Sequence, residues 1–141
     1  MFWEEIMESI TLMEAYAIET LRGNGVDNDT IIKNIKNNDL EDFKKIKENM
    51  DFDALVDLSK EADFDSIVKD GYKVKFLTFN GLKNLIKMKF GKFADEDYQV
   101  DEFTISGLEL EKPQVEELKN VLSNNWLLSE EAGGVTVKPN K

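Results

Sequence analysis

The first half of the chain places an aspartate at every twelfth position from Asp27 to Asp63, the others being Asp39 and Asp51. An acid follows two residues after each, and an apolar residue stands at the fifth position, namely Ile31, Phe43, Leu55 and Ile67. An aspartate accepts a hydrogen bond at a helix start, and the next acid complements the helix dipole. The pattern predicts four short helices, each turning its fifth residue inward. The spacing is shorter than familiar solenoid units, so a true repeat stays open.

A longer helix is predicted ahead of this series, from Phe2 to Arg22. Apolar residues recur there at spacings of three and four, at Trp3, Ile6, Met7, Ile10, Met13, Ala17 and Leu21. Gly23 or Gly25 ends the helix. Residues 1–70 are therefore predicted to form an acidic helical region.

Residues 71–141 change character, because patterns typical of strands mix with those of helices. In "YKVKFLTF" Val74 and Phe76 are predicted to share the buried side of a strand. A helix follows from Asn80 to Gly91, then strands over 98–110 bent at Ser106-Gly107, a helix after Pro113, and a hairpin near Gly133-Gly134. The predicted fold class is α+β: an N-terminal array of short helices, then a small, mostly antiparallel sheet with two helices. The seam is predicted at Asp70-Gly71 within one compact domain overall.

Two missing residue types restrict the chemistry. The chain has no cysteine and no histidine, which excludes disulfides, thiolate metal sites and histidine-based catalytic triads. Two acidic clusters, 51–57 and 95–97, could supply oxygen ligands, but neither matches a calcium loop. Neither a catalytic residue, nor a cofactor, nor a metal site is predicted, and we expect no enzyme. No apolar run approaches the ~18 residues that span a bilayer, so a cytoplasmic protein without membrane contact is predicted.

Lysines concentrate in one acid-free segment of an otherwise acidic chain. The formal net charge is -11, yet residues 71–93 hold six lysines and no Asp or Glu. This segment is predicted to be the strand and helix that join the two halves. Because aromatic residues alternate with the lysines, it is also an alternative basic site for nucleic acid, with Lys73, Lys75, Lys83 and Lys87. The flanking acidic stretches disfavour direct nucleic-acid binding.

The remaining function class is a non-enzymatic, acidic, protein-binding regulator or inhibitor. Acidic surfaces steer toward basic partners, such as nucleic-acid-binding proteins, so a nucleic-acid mimic belongs to this class. Usage rich in Asn and Lys and poor in Arg suggests an AT-rich bacterial, phage or mobile-element genome. The predicted partner-binding residues are Asp95, Glu96, Asp97, Tyr98, Asp101 and Glu102, with Tyr98 as an aromatic anchor. The competing surface is the helical array, with Asp53, Asp57, Glu61 and Asp65.

Overall fold

A computed structural model describes residues 7–140 and has the predicted α+β class. Over these residues there are seven helices and six strands, and four of the strands form one antiparallel sheet. The chain divides into two compact units, the first ending at Lys73 and the second beginning at Val74.

The first unit is helical. Its elements are β1 (Ser9–Ile10), α1 (Leu12–Gly23), α2 (Asn28–Lys36), α3 (Glu41–Ile46), α4 (Asp53–Glu61) and α5 (Phe64–Asp70), and β2 (Lys73–Val74) begins at its end. The Lys73 N–H donates to the Glu8 carbonyl at 2.9 Å, which pairs β2 with β1.

The helix predicted from Phe2 begins later. Residues 2–6 of that prediction lie outside the described residues, and Ser9–Ile10 is extended. Thr11 starts α1 because its side chain accepts from the Glu14 N–H, while the Glu14 carboxylate accepts from the Thr11 N–H. In a helix that begins at this position, Met13, which was predicted to face inward, is largely exposed.

Three of the four periodic aspartates bind a helix start as predicted. Asp27, Asp51 and Asp63 each accept a hydrogen bond from the backbone N–H three residues ahead, at 2.8, 3.2 and 3.2 Å. Asp39 does not, because α3 begins after Leu40 without a side-chain cap. The fifth-position residues Ile31, Phe43, Leu55 and Ile67 are all buried. The repeated helix starts therefore have a structural role.

The second unit combines two helices with the four-stranded sheet. Its elements are α6 (Phe79–Phe90), β3 (Gln99–Asp101), β4 (Thr104–Leu108), α7 (Lys112–Val121), β5 (Trp126–Glu131) and β6 (Gly134–Pro139). The strand order is β3-β4-β6-β5, so β3 is an edge strand. Two residues of β4, Ser106 and Gly107, lie opposite the single residue Thr136 of β6, and this bulge, with a φ of +67° at Gly107, is the bend predicted there. The buried side chains of α6, α7 and the sheet form this unit's core.

The strand predicted through Phe76 is wrong beyond Val74. The backbone turns at Lys75 and Phe76, and Phe76 has a φ of +49°. Because of this turn, the side predicted to be buried and the side predicted to be exposed are reversed: Phe76 is 89% exposed, whereas Leu77 is buried. Backbone groups of Leu77 hold this position: its N–H donates to Ser123 Oγ at 3.3 Å, and its carbonyl accepts from Trp126 Nε1 at 2.8 Å.

Candidate functional site

Five exposed carboxylates surround the edge strand β3. We call residues 95–102 the acidic loop, and its carboxylates belong to Asp95, Glu96, Asp97, Asp101 and Glu102. Among the described residues, no lysine or arginine lies within ion-pair distance of any of the five. The structure therefore brings the predicted acidic residues together along one segment with their charges uncompensated by ion pairs.

Hydrogen bonds fix the start of the acidic loop. The Asp97 carboxylate accepts from the Phe93 N–H at 2.7 Å, and the Asp97 N–H donates to the Phe93 carbonyl at 2.8 Å. The Asp95 N–H donates to the Tyr98 carbonyl at 2.9 Å. Asp97 consequently has a structural role that the sequence did not indicate, and the loop presents its acids in a defined geometry.

Two of these acids adopt left-handed backbone conformations. Asp95 has a φ of +67°, and Glu102, at the turn between β3 and β4, has a φ of +55°. This region costs an L-residue roughly 1–2 kcal/mol, although aspartate tolerates it better than most residues. The strain is concentrated at both ends of the loop, a distribution that recurs at binding sites.

Tyr98 does not lie on the exposed surface. Its side chain is 2% exposed, and its hydroxyl has no hydrogen-bond partner among the described residues. Burial raises the pKa of Tyr98, and the charges of Asp95 and Asp97 raise it further. The ring predicted to anchor a partner is instead buried in the interior.

An exposed groove with two large apolar side chains adjoins the end of the acidic loop. Phe103, which follows Glu102, is 62% exposed, and Leu127 is also exposed. The groove has a volume of about 400 Å³ and is lined by Glu102, Phe103, Thr104, Leu127, Lys138 and Pro139. Phe79 supports it from the side, with its ring centroid 5.7 Å from Phe103 and 5.9 Å from Trp126.

The sequence pattern did not indicate this groove. The alternation in "YQVDEFTIS" assigns Phe103 to the same face as buried Ile105, but the turn at Glu102 breaks that alternation. A signal was available in the two adjacent acids of "VDEF", since a polar pair between two strand-like runs is typical of a hairpin turn.

The alternative basic residues are only partly brought together. Lys83 and Lys87 lie one turn apart on α6 and line a second cavity, together with Lys92. Lys75 is exposed at the turn before Leu77, and Lys73 belongs to the first unit. The sequence did not single out Lys92.

Residues 7–140 hold no group of three acidic side chains placed to bind a metal ion. None of the helices described is long and apolar enough to cross a membrane. No family model matches the chain, and comparisons with curated proteins and with solved structures find no significant match.

Proposed function

We propose that this protein is a non-enzymatic, protein-binding regulator or inhibitor whose partner presents a basic surface. The observation that carries the proposal is the junction at Glu102 and Phe103, where the acidic loop meets the groove with the exposed Phe103 and Leu127 side chains. Protein interfaces combine a desolvated apolar or aromatic centre with a polar rim. This junction supplies both within two consecutive residues.

The two parts of this surface would contribute differently to binding. The uncompensated carboxylates of the acidic loop steer a basic partner during its approach and reject acidic ones. Phe103 supplies an apolar anchor, and burying such a side chain contributes about 1.5–3 kcal/mol. The apolar anchor therefore governs dissociation, while the carboxylates govern the association rate and its dependence on salt.

The hydrogen bonds of the acidic loop favour tight binding for a separate reason. A loop that is ordered before binding loses less conformational entropy when the complex forms. The bonds that join Phe93 to Asp97 and Asp95 to Tyr98 already fix the backbone.

The helical array remains the competing acidic surface. Asp53, Asp57 and Glu61 are exposed on α4 at a spacing of four, so they share one stripe. Asp65 contributes less free charge, because it pairs with Lys36. This stripe has no exposed large apolar side chain on its own helix, which is why we favour the acidic loop.

Two variants with equal loss of charge separate the surfaces. The loop variant carries Asp95→Asn, Glu96→Gln and Asp97→Asn, and the amide that replaces the Asp97 carboxylate keeps an oxygen able to accept from the Phe93 N–H. The array variant carries Asp53→Asn, Asp57→Asn and Glu61→Gln. A partner captured from native cells with the wild-type protein is purified, and its association is measured against salt concentration.

The loop variant should slow association and flatten its salt dependence, while the array variant behaves as wild type. Phe103→Ala should speed dissociation at an unchanged association rate. Wild-type association of the loop variant, combined with loss of binding in the array variant, would assign the site to the first unit. Salt-dependent binding to short DNA or RNA at ~0.15 M salt, where the Debye length is ~8 Å, would favour the nucleic-acid alternative.

A further inference from the structure

A cavity of about 350 Å³ on the second unit has a lining without any carboxylate. One wall is a single stripe of α6, since Asn80, Lys83, Asn84 and Lys87 follow the spacing that aligns side chains on a helix face. The other wall is formed by Lys92, Phe93, Ala94 and Tyr98. Three lysines therefore line one cavity in a chain whose net charge is -11.

These three lysines differ from their neighbour Lys89. Lys89 is 3% exposed and pairs with Glu117 at 2.6 Å, so it serves the fold. Among the described residues, Lys83, Lys87 and Lys92 have no ion-pair partner. Lys83 is oriented by another contact, because its Nζ lies 4.9 Å from the centre of the Phe79 ring.

Unpaired lysines at this spacing oppose one another. Like charges four residues apart on a helix are destabilising, and α6 contains no acid to relieve them. An anion in the cavity would remove that repulsion and would be held by all three ammonium groups. Lysine binds phosphate as a point charge, so the set fits a phosphate group without requiring an arginine.

The rest of the lining indicates more than a bare anion. Phe93 is 46% exposed and lines the cavity, so an aromatic ring is available there for stacking. Asn80 supplies an amide that both donates and accepts hydrogen bonds. Tyr98 also lines the cavity, and its hydroxyl is buried without a hydrogen-bond partner among the described residues.

We propose that this cavity binds a nucleoside phosphate, with the phosphate at Lys83, Lys87 and Lys92 and the planar base against Phe93. A volume of 350 Å³ lies within the range of small-ligand sites and exceeds what inorganic phosphate alone would fill. The lysines and Phe93 that carry this proposal belong neither to the acidic loop nor to the groove at Phe103. Either proposal can therefore fail without the other.

The test is an NMR titration of the whole protein with adenosine 5′-monophosphate, with adenosine and inorganic phosphate as separate probes. Shifts should concentrate at Asn80, Asn84 and Phe93, with a Kd below about 1 mM. Adenosine should bind more weakly because it lacks the charge, and inorganic phosphate because it lacks the ring. Raising the salt concentration should weaken binding of the nucleotide.

Matched variants assign the contacts. Lys83→Gln and Lys87→Gln should each raise the Kd for the nucleotide about tenfold, because each removes a charge-assisted contact. Lys112→Gln removes an exposed lysine outside the cavity and should change binding no more than about twofold. Phe93→Ala should weaken the binding of the nucleotide but leave the binding of inorganic phosphate unchanged.

Three results would overturn the proposal. The first is equal binding by the wild type and the Lys83→Gln/Lys87→Gln double variant. The second is inorganic phosphate binding as tightly as the nucleotide, which would show that the base makes no contribution to binding. The third is a single-stranded oligonucleotide binding far more tightly than the mononucleotide, which would assign these lysines to a nucleic-acid interface.

Discussion

The first unit contains a buried charge pair whose contribution to stability can be tested directly. The Glu19 carboxylate is 3% exposed and accepts from Arg22 Nη1 at 2.9 Å and from the Tyr72 hydroxyl at 2.6 Å. Arg22 is the only arginine in the sequence. It also donates through Nε to Asn28 Oδ1 at 3.3 Å and through Nη2 to the Val68 carbonyl. One side chain thus joins α1, α2 and α5.

Removing the guanidinium should cost far more than breaking an exposed ion pair. Arg22→Met removes a cation that contacts the buried Glu19 carboxylate, and breaking a buried ion pair typically costs about 3–5 kcal/mol. We expect a cost at the lower end of this range, since Tyr72 still donates to the carboxylate and the Arg22 side chain is about a quarter exposed. Tyr72→Phe removes one hydrogen bond to a charged acceptor and should cost about 1.5–3 kcal/mol.

Lys36→Met is the matched control, because Lys36 and Asp65 form an ion pair whose side chains are both about half exposed. Breaking such a pair should cost about 0–1 kcal/mol. Urea denaturation followed by circular dichroism gives all three free energies of unfolding. The double variant Glu19→Gln/Arg22→Met should be more stable than Arg22→Met alone, because a buried glutamine carries no charge that must be desolvated.

Equal, small losses for Arg22→Met and Lys36→Met would refute this reasoning. So would a double variant that is no more stable than Arg22→Met, because the cost would then come from lost packing and not from the buried carboxylate. The expected order of stability is Lys36→Met, then Tyr72→Phe, then Arg22→Met.

Three further predictions follow from single positions in the second unit. Gly134→Ala should destabilise by about 2 kcal/mol or more in thermal denaturation, because a Cβ there would meet the Leu108 carbonyl oxygen at 2.8 Å in a backbone with a φ of +124°. Gly133→Ala is the control, since nothing lies within 4 Å of its added Cβ. Phe76→Gly should leave the free energy of unfolding unchanged or raise it by up to about 1 kcal/mol, because the residue is exposed and left-handed; a larger loss would show that the ring packs. Burial raises the pKa of Tyr98, so the folded protein holds that proton more tightly than the unfolded chain and loses stability as pH rises above about 10; Tyr98→Phe should flatten this loss in alkaline denaturation.

The helix starts were predictable because their cause is local. An aspartate, the N–H three residues ahead and an inward apolar side chain lie within one turn, so the sequence of that turn suffices. Asp39 shows the limit, since Leu40 takes the starting position and the aspartate lies outside the helix. The bulge at Gly107 and the closing hairpin were predictable for the same reason, because glycine marks both.

The candidate site was only partly predictable because its decisive features depend on backbone handedness and on distant partners. The alternation of apolar and polar residues in a strand does not indicate that Phe76 or Glu102 adopts a positive φ. Each such residue changes which of the following side chains are buried. Phe76 leaves the interior because Trp126, about fifty residues later, fixes the carbonyl of Leu77. Tyr98 was assigned to an interface by its residue type, whereas its burial follows from packing in the interior.

The acidic loop adjoins the lysine-lined cavity, since Lys92, Phe93 and Ala94 precede the loop and Tyr98 belongs to both, so their electric fields overlap. Asp95 and Asp97 act electrostatically on Tyr98, which lines the cavity. Their charges oppose a phosphate there, and at ~0.15 M salt the Debye length of ~8 Å does not separate the two sites. The loop variant should therefore bind adenosine 5′-monophosphate more tightly than the wild type, while associating more slowly with a basic partner. Conversely, a bound nucleotide adds negative charge beside the loop, so by linkage nucleotide and basic partner should strengthen each other's binding by the same factor. Calorimetry of nucleotide binding with and without the partner measures that factor, and a value of one would show that the two sites are independent.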